Sequence, residues 1–141
     1  MKILTDTNIL IAASRYPTGI PCKALLKASA SPNTLFISEQ NLEELRNVYN
    51  RLFPHEIHVL ESFLAAVMPK IEIIPIPAER IKDEKKVRHA KDRPILRAAI
   101  AANVDIIVTG DKDFLEAGLT KPKIMSPADF VDFIDSEPNK T

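Results

Sequence analysis

The sequence predicts an α/β fold with three αβα layers around a central, mainly parallel sheet of four to five strands. Three observations carry that prediction. Short apolar runs at 2–5, 35–37, 106–109 and 123–125 read as buried strands, too brief for helices. Between them, apolar residues recur every three or four positions, which is the helical period. Strands that alternate with helices imply βαβ units, and these wind right-handed into a parallel sheet covered on both faces.

The first strand ends directly at Asp6, and a short helix is expected over 8–14, broken by Tyr16, Pro17, Thr18 and Gly19. Pro21 suits the first turn of the next helix, where its missing N–H is no loss. Cys22, Leu25, Leu26 and Ser29 keep helical spacing as far as residue 30, and Ser31, Pro32 and Asn33 end it. After the second strand, Ser38 is a good N-cap and Glu39 places an anion in the first turn. Leu42, Leu45, Tyr49 and Leu52 form the apolar stripe of that helix. A helix from Pro54 puts Ile57, Leu60, Phe63, Leu64, Val67 and Met68 on one face, the strongest amphipathic pattern in the chain, and core packing is its plain meaning. Ile71 and Ile73 precede Pro75, which demotes this short strand to a sheet edge.

Asp92, Arg93 and Pro94 open an alanine-rich helix through Ala102, with Ile95, Ala98, Ala99 and Ala102 inward and Asn103 at its end. The strand at 106–109 then runs into Gly110 and Asp111. After the last strand, Ser126 with Asp129 three residues on resembles a capping box opening a helix with Phe130, Phe133 and Ile134 inward. A single domain is expected over 1–136, with a frayed tail at 137–141.

Composition narrows the function. The chain has 141 residues, 45% hydrophobic, with 19 basic and 19 acidic side chains that cancel. Such a balance excludes general disorder. The lone Cys22 excludes a disulfide scaffold and a Cys-rich zinc module. His55, His58 and His89 offer no paired ligand spacing beyond the i,i+3 of the first two. No apolar run approaches the ~18 residues of a membrane span, and the N-terminus is too poor in apolar residues for a signal peptide. A cytoplasmic protein with no membrane partner is therefore expected. Neither a P-loop nor a Gly-x-Gly-x-x-Gly cradle is present, and no serine sits in a Gly-x-Ser-x-Gly elbow.

The acidic residues then acquire meaning. In open parallel sheets, sites form beyond the carboxyl ends of the strands. Asp6 and Asp111 follow the first strand and the 106–109 strand at that edge. Asp92 opens the helix leading into the latter strand, so it lies at the same edge. Glu44 comes from the second turn of the helix behind Ser38, at the border of its apolar stripe. Each has a bland reading as cap, turn residue or solvated carboxylate. Their convergence does not, because clustered carboxylates repel unless a cation neutralises them. An all-oxygen set favours Mg²⁺ or Mn²⁺ over zinc. Phosphodiester hydrolysis is the reaction such a site serves best.

Charge is also uneven locally: residues 79–93 hold seven basic and four acidic side chains. This run reads either as a solvated surface or as a patch that attracts phosphates, depending on its distance from the acids.

These residues resemble the PIN-domain ribonucleases, specifically the small toxin components related to VapC. Asp6-Thr7-Asn8-Ile9-Leu10 looks like the family's opening signature. Ser38-Glu39 with Leu42-Glu43-Glu44-Leu45 is similar to its second motif, Lys91-Asp92-Arg93-Pro94 to its third, and Thr109-Gly110-Asp111-Lys112-Asp113-Phe114 to its fourth. The blocks occur in the family's order across essentially the whole chain. The resemblance implies an endoribonuclease dependent on Mg²⁺ or Mn²⁺, often dimeric and commonly restrained by an antitoxin. Asp6, Glu44, Asp92 and Asp111 would be the catalytic, metal-binding carboxylates, with Asp113 assisting or replacing Asp111 as the closer ligand. Asn8 and Thr109 would orient the acids by hydrogen bonds. Lys85, Lys86, Arg88, Lys91 and Arg93 become candidate RNA-phosphate contacts. His89 reads as an exposed member of the charged run, and Glu43 and Asp83 as solvated. Two other readings stay open: a non-catalytic RNA-binding or regulatory module of the same fold, and a metal-dependent nuclease or phosphatase acting on another phosphate substrate.

Overall fold

Successive strand residues point to opposite sides of a sheet, so a strand buried on both faces needs apolar residues throughout. The computed structural model, which describes residues 1–137, has five strands, β1 (Lys2–Thr5), β2 (Thr34–Ser38), β3 (Ile71–Ile74), β4 (Ile106–Val108) and β5 (Lys123–Met125); β1, β2 and β4 are buried along nearly their whole length, whereas β3 and β5 are partly exposed. They form one all-parallel sheet in the order β3-β2-β1-β4-β5. Ile3 aligns with Leu35 on one side and with Ile106 on the other. Residues 138–141, most of the tail expected to fray, lie outside the described residues.

Alternation divides the core in two. Ile3, Leu35, Ile37, Ile106 and Val108 share one cluster with α1 (Thr7–Arg15), α2 (Ile20–Ser29), α3 (Glu39–Leu52), α4 (Ile57–Val67) and α7 (Pro127–Asp135). Leu4, Phe36 and Ile107 face the other way, onto α5 (Arg93–Ala101), Phe114 of the one-turn helix α6 (Lys112–Leu115), and Val87. Three layers result, as the alternating pattern predicts. Among the described residues no helix is long and apolar enough to cross a membrane.

Local differences from the sequence reading have physical causes. The α3 stripe does not pass through Leu52, which is 53% exposed. It continues instead through Phe53, one helical turn beyond Tyr49, whose ring meets it edge-on at 5.4 Å. The expected helix from Pro54 begins as a 3-10 turn, Pro54–Glu56, before α4 proper. Ser38 caps α3 with Asn41 completing the capping box. Ser126 accepts the Asp129 N–H at 3.1 Å. A single turn such as α6 carries too few residues to show a period, and Asp111 caps it by accepting the Asp113 N–H at 2.9 Å.

The segment between β3 and α5 contains only 3-10 turns, Lys82–Lys86 and Ala90–Asp92. Arginines on α5 hold it down. Arg93 Nε donates to the Val87 carbonyl at 2.9 Å, and Val87 is fully buried. Arg97 donates to the Glu84 carboxylate at 2.7 Å and to the Pro77 carbonyl at 2.8 Å. This anchoring positions Asp92, the last residue of the segment.

Candidate active site

The strand order reverses direction between β1 and β4, since the chain leaves β1 toward β2 and later returns to lie on its other side. A crevice opens at the carboxyl ends of strands flanking such a switch point. Asp6 leaves β1 there, and its N–H donates to the Val108 carbonyl at 3.2 Å. Its side chain caps α1 by accepting the Ile9 N–H at 3.2 Å, and the Thr109 hydroxyl donates to its other oxygen. Thr109 in turn accepts the Asp111 N–H at 3.0 Å. One hydroxyl thus ties the first carboxylate to the loop that carries the fourth.

Asp6 is only 5% exposed, and burial pushes its carboxyl above the usual range despite hydrogen bonds from Thr109 and Ile9 that oppose the rise. The Asp111 charge pushes the same way. Asp92, 9% exposed, is raised to about 7, first by burial, then by the Asp111 carboxyl and by the charge of Asp6, with His89 opposing. Asp111 is held below the ordinary carboxylate range, first by its bond with Asp92 and also by the Asp113 and Phe114 N–H groups. Burial and the Asp111 carboxyl thus both favour the neutral form of Asp92 over its anion. Its Oδ2 is buried without a hydrogen-bond partner.

Glu44 joins by relay. Its Oε2 accepts the Thr7 hydroxyl at 3.1 Å, next to Asp6, and Thr7 accepts from the buried Asn41 amide at 3.0 Å. Gln40 Nε2 donates both to Glu44 Oε1 at 3.1 Å and to the Lys91 carbonyl at 3.2 Å, next to Asp92. Glu44 is thereby held between the neighbours of two other acids.

Asp113 lies on the outer side. The His89 Nε2 is 2.6 Å from its Oδ2, and Arg88 is 3.4 Å from its Oδ1. One ligand atom from each of His89, Asp111 and Asp113 lies within 4.8 Å of the others.

The structure thus sets Asp6, Asp92 and Asp111 near enough to sense one another's charge, but among the described residues the ligand atoms that come within 4.8 Å of one another are those of His89, Asp111 and Asp113, while Glu44 is linked through Thr7 and Gln40. Thr109 bonds both acids it flanks, whereas Asn8 is exposed and reaches Asp6 through its backbone N–H. Among the basic candidates, Arg88 and Lys91 border the acids and are exposed. Arg93 is half-buried and spends its Nε on Val87. Lys85 and Lys86 are exposed, with Lys86 3.7 Å from Asp83. Three polar residues escaped the sequence reading. Asn41 lies one turn before Leu45 and Tyr49 on the same buried stripe, which was the available signal. Thr7 and Gln40 carried none beyond adjacency. His89 is exposed, as the charged run suggests, yet is paired with a residue of the site.

No curated protein matches the chain. Its fold is similar to that in the crystal structure of VapBC2 from Rickettsia felis bound to a promoter DNA fragment, with a TM-score of 0.66 and 23% identity over 89% of this chain and 98% of that one. It is similar to PAE2754 from Pyrobaculum aerophilum, with a TM-score of 0.63 and 18% identity over 96% of this chain and 90% of that one. It is also similar to the Sarcin-Ricin loop cleaving toxin VapC20 of Mycobacterium tuberculosis, with a TM-score of 0.59 and 19% identity over 84% of this chain and 97% of that one. Residues 2–113 match the sequence pattern of the PIN domain, a span running from the first strand through every acid described above. The chain belongs to the PIN domain family.

Proposed function

We propose that this protein is a divalent-metal-dependent endoribonuclease, acting as one domain over residues 1–136 and serving as the toxin of a toxin–antitoxin pair. The observation that carries the reading is the meeting of Asp6, Asp92 and Asp111 at the switch point of a parallel sheet, with Glu44 tied to them by Thr7. The donor set fits a hard cation. It is made of carboxylate oxygens, two of them raised by burial and mutual repulsion, and Asp92 Oδ2 has no protein partner. Such unpaired buried oxygens are costly unless something positive meets them.

Asp6, Glu44, Asp92 and Asp111 would hold Mg²⁺ or Mn²⁺, with Asp113 at the margin. When bound, the ion supplies polarisation of a phosphoryl oxygen and charge neutralisation for in-line attack by water. The protein's own contribution is placement. Thr109 and the Ile9 N–H fix the Asp6 carboxylate, Thr7 and Gln40 fix Glu44, and the Thr109 hydroxyl holds the loop of Asp111 through its N–H. Arg88 and Lys91 stand exposed beside the acids, where cations draw in backbone phosphates without reading sequence.

Fold similarity to VapBC2 and VapC20 supports an antitoxin partner and an RNA substrate. A homodimer and a cytoplasmic location belong to the same reading. Single-stranded RNA incubated with Mg²⁺ or Mn²⁺ and either the wild type or Asp6→Asn provides the test. Cleavage by the wild type and its loss in the variant are expected; equal cleavage by both would refute the assignment.

A further inference from the structure

The acidic set has a neighbour that is not an acid. We propose that His89 supplies a nitrogen ligand to the metal pocket beside Asp111 and Asp113, and that this donor tilts the pocket toward Mn²⁺ over Mg²⁺. The inference rests on the metal-dependent reading above and goes further by naming a ligand and a preference.

Geometry is the first support. Ligand atoms of His89, Asp111 and Asp113 that all lie within 4.8 Å of one another can share one ion at roughly 2.0–2.4 Å from each after small side-chain rotations. The Nε2 edge of the ring is the edge turned to the acids, 2.6 Å from Asp113 Oδ2. The second support is independent of that trio. Asp92, three residues past His89 and more than nine-tenths buried, leaves its Oδ2 with no hydrogen-bond partner. A buried, unpartnered oxygen at this edge is costly unless a positive partner meets it.

The third support is the backbone. His89 is two residues past Val87, which is fully buried and held by Arg93, and the His89 carbonyl accepts the Asp92 N–H at 3.1 Å. The side chain is exposed, but its attachment is fixed. Arg88, 3.4 Å from Asp113, is the opposing feature, because a guanidinium there competes for the same carboxylate. That side chain is 81% exposed and long enough to swing outward.

Chemistry sets the preference. Imidazole suits transition ions, whereas Mg²⁺ takes oxygen ligands and keeps its waters. On ligation the Nε2 lone pair takes the ion and the neutral ring keeps its one proton on Nδ1, any second proton passing to solvent; nothing is oxidised or reduced. Without the ion, the ring pairs with Asp113.

The test uses the full chain titrated with Mn²⁺ or Mg²⁺ by calorimetry, and electron spin-echo spectroscopy of the Mn²⁺ complex to detect coupling to ¹⁴N. The wild type should show ¹⁴N coupling. His89→Gln should lose it and bind Mn²⁺ at least about tenfold more weakly, with Mg²⁺ affinity held within about twofold. Thermal melts in chelator confirm that the exposed substitution leaves the fold intact. Mn²⁺ bound without ¹⁴N coupling in the wild type, or coupling that persists in His89→Gln, overturns the His89 assignment and leaves the carboxylate site standing. No Mn²⁺ binding, or binding indifferent to Asp6→Asn and Asp111→Asn, overturns the metal site itself and His89 with it.

Discussion

Raising the pH of the metal-free protein should weaken its fold, and Asp92→Asn should remove a measurable part of that weakening. The sign follows from proton counting. Asp92 has an ordinary value of 3.8 when unfolded and about 7 when folded, so between those limits the native state binds the extra proton. Stability then falls as pH rises through the window. Each pH unit is worth about 1.4 kcal/mol, and the whole span about 4 kcal/mol. Asp111 does not cancel this, because its carboxyl is shifted downward and titrates below the window. Asp6, raised by burial, adds a slope of the same sign. Asparagine at position 92 keeps the shape and cannot ionise, so its stability curve should decline less steeply than the wild type's, by the share that Asp92 supplies. Urea unfolding with a chelator present, from about pH 4 to about pH 8, measures both curves by linear extrapolation. Mn²⁺ should restore the wild type at the alkaline end, because a ligand that binds only the native state stabilises it. A wild-type curve level to within about 1 kcal/mol, or the same decline in Asp92→Asn, would refute the reasoning.

Three further outcomes are expected. Thr109→Val removes the hydroxyl shared by Asp6 and Asp111 and should weaken Mn²⁺ binding by about 10–100-fold, whereas Thr109→Ser retains it; calorimetry on the two variants separates the hydroxyl from the methyl. Glu84→Gln and Arg97→Met unfasten the segment before Asp92, so limited proteolysis read by mass spectrometry should show new cuts within 79–91; an unchanged digest would count against the anchor. Leu25→Ala hollows the helix-rich side of the core from α2, an element that carries none of the acids, and should cost about 2–5 kcal/mol in urea while leaving the Mn²⁺ affinity of the folded protein unchanged.

How much of this was legible depends on which signals are local. Residues 106–109 and 123–125 announce strands by composition alone, and once a parallel sheet is granted, topology assigns Asp6 and Asp111 to one edge without any knowledge of contacts. Asp92 follows from the antiparallel run of its helix. A helix register is less forgiving. Leu52 and Phe53 differ by one step of about 100°, and packing against Tyr49 selects Phe53, a choice that periodicity leaves open. The segment before α5 has no period at all. Its order comes from Arg97 reaching back to Pro77, Ala78 and Glu84, contacts that join residues with no common pattern. His89 belongs to the same class: its exposure was readable from a charged run, but exposure does not say which carboxylate lies beside it. The edge on which the acids gather is thus a consequence of hydrophobic alternation. The side chains that complete and tune the pocket are set by polar contacts between non-periodic stretches, so the sequence leaves them unassigned.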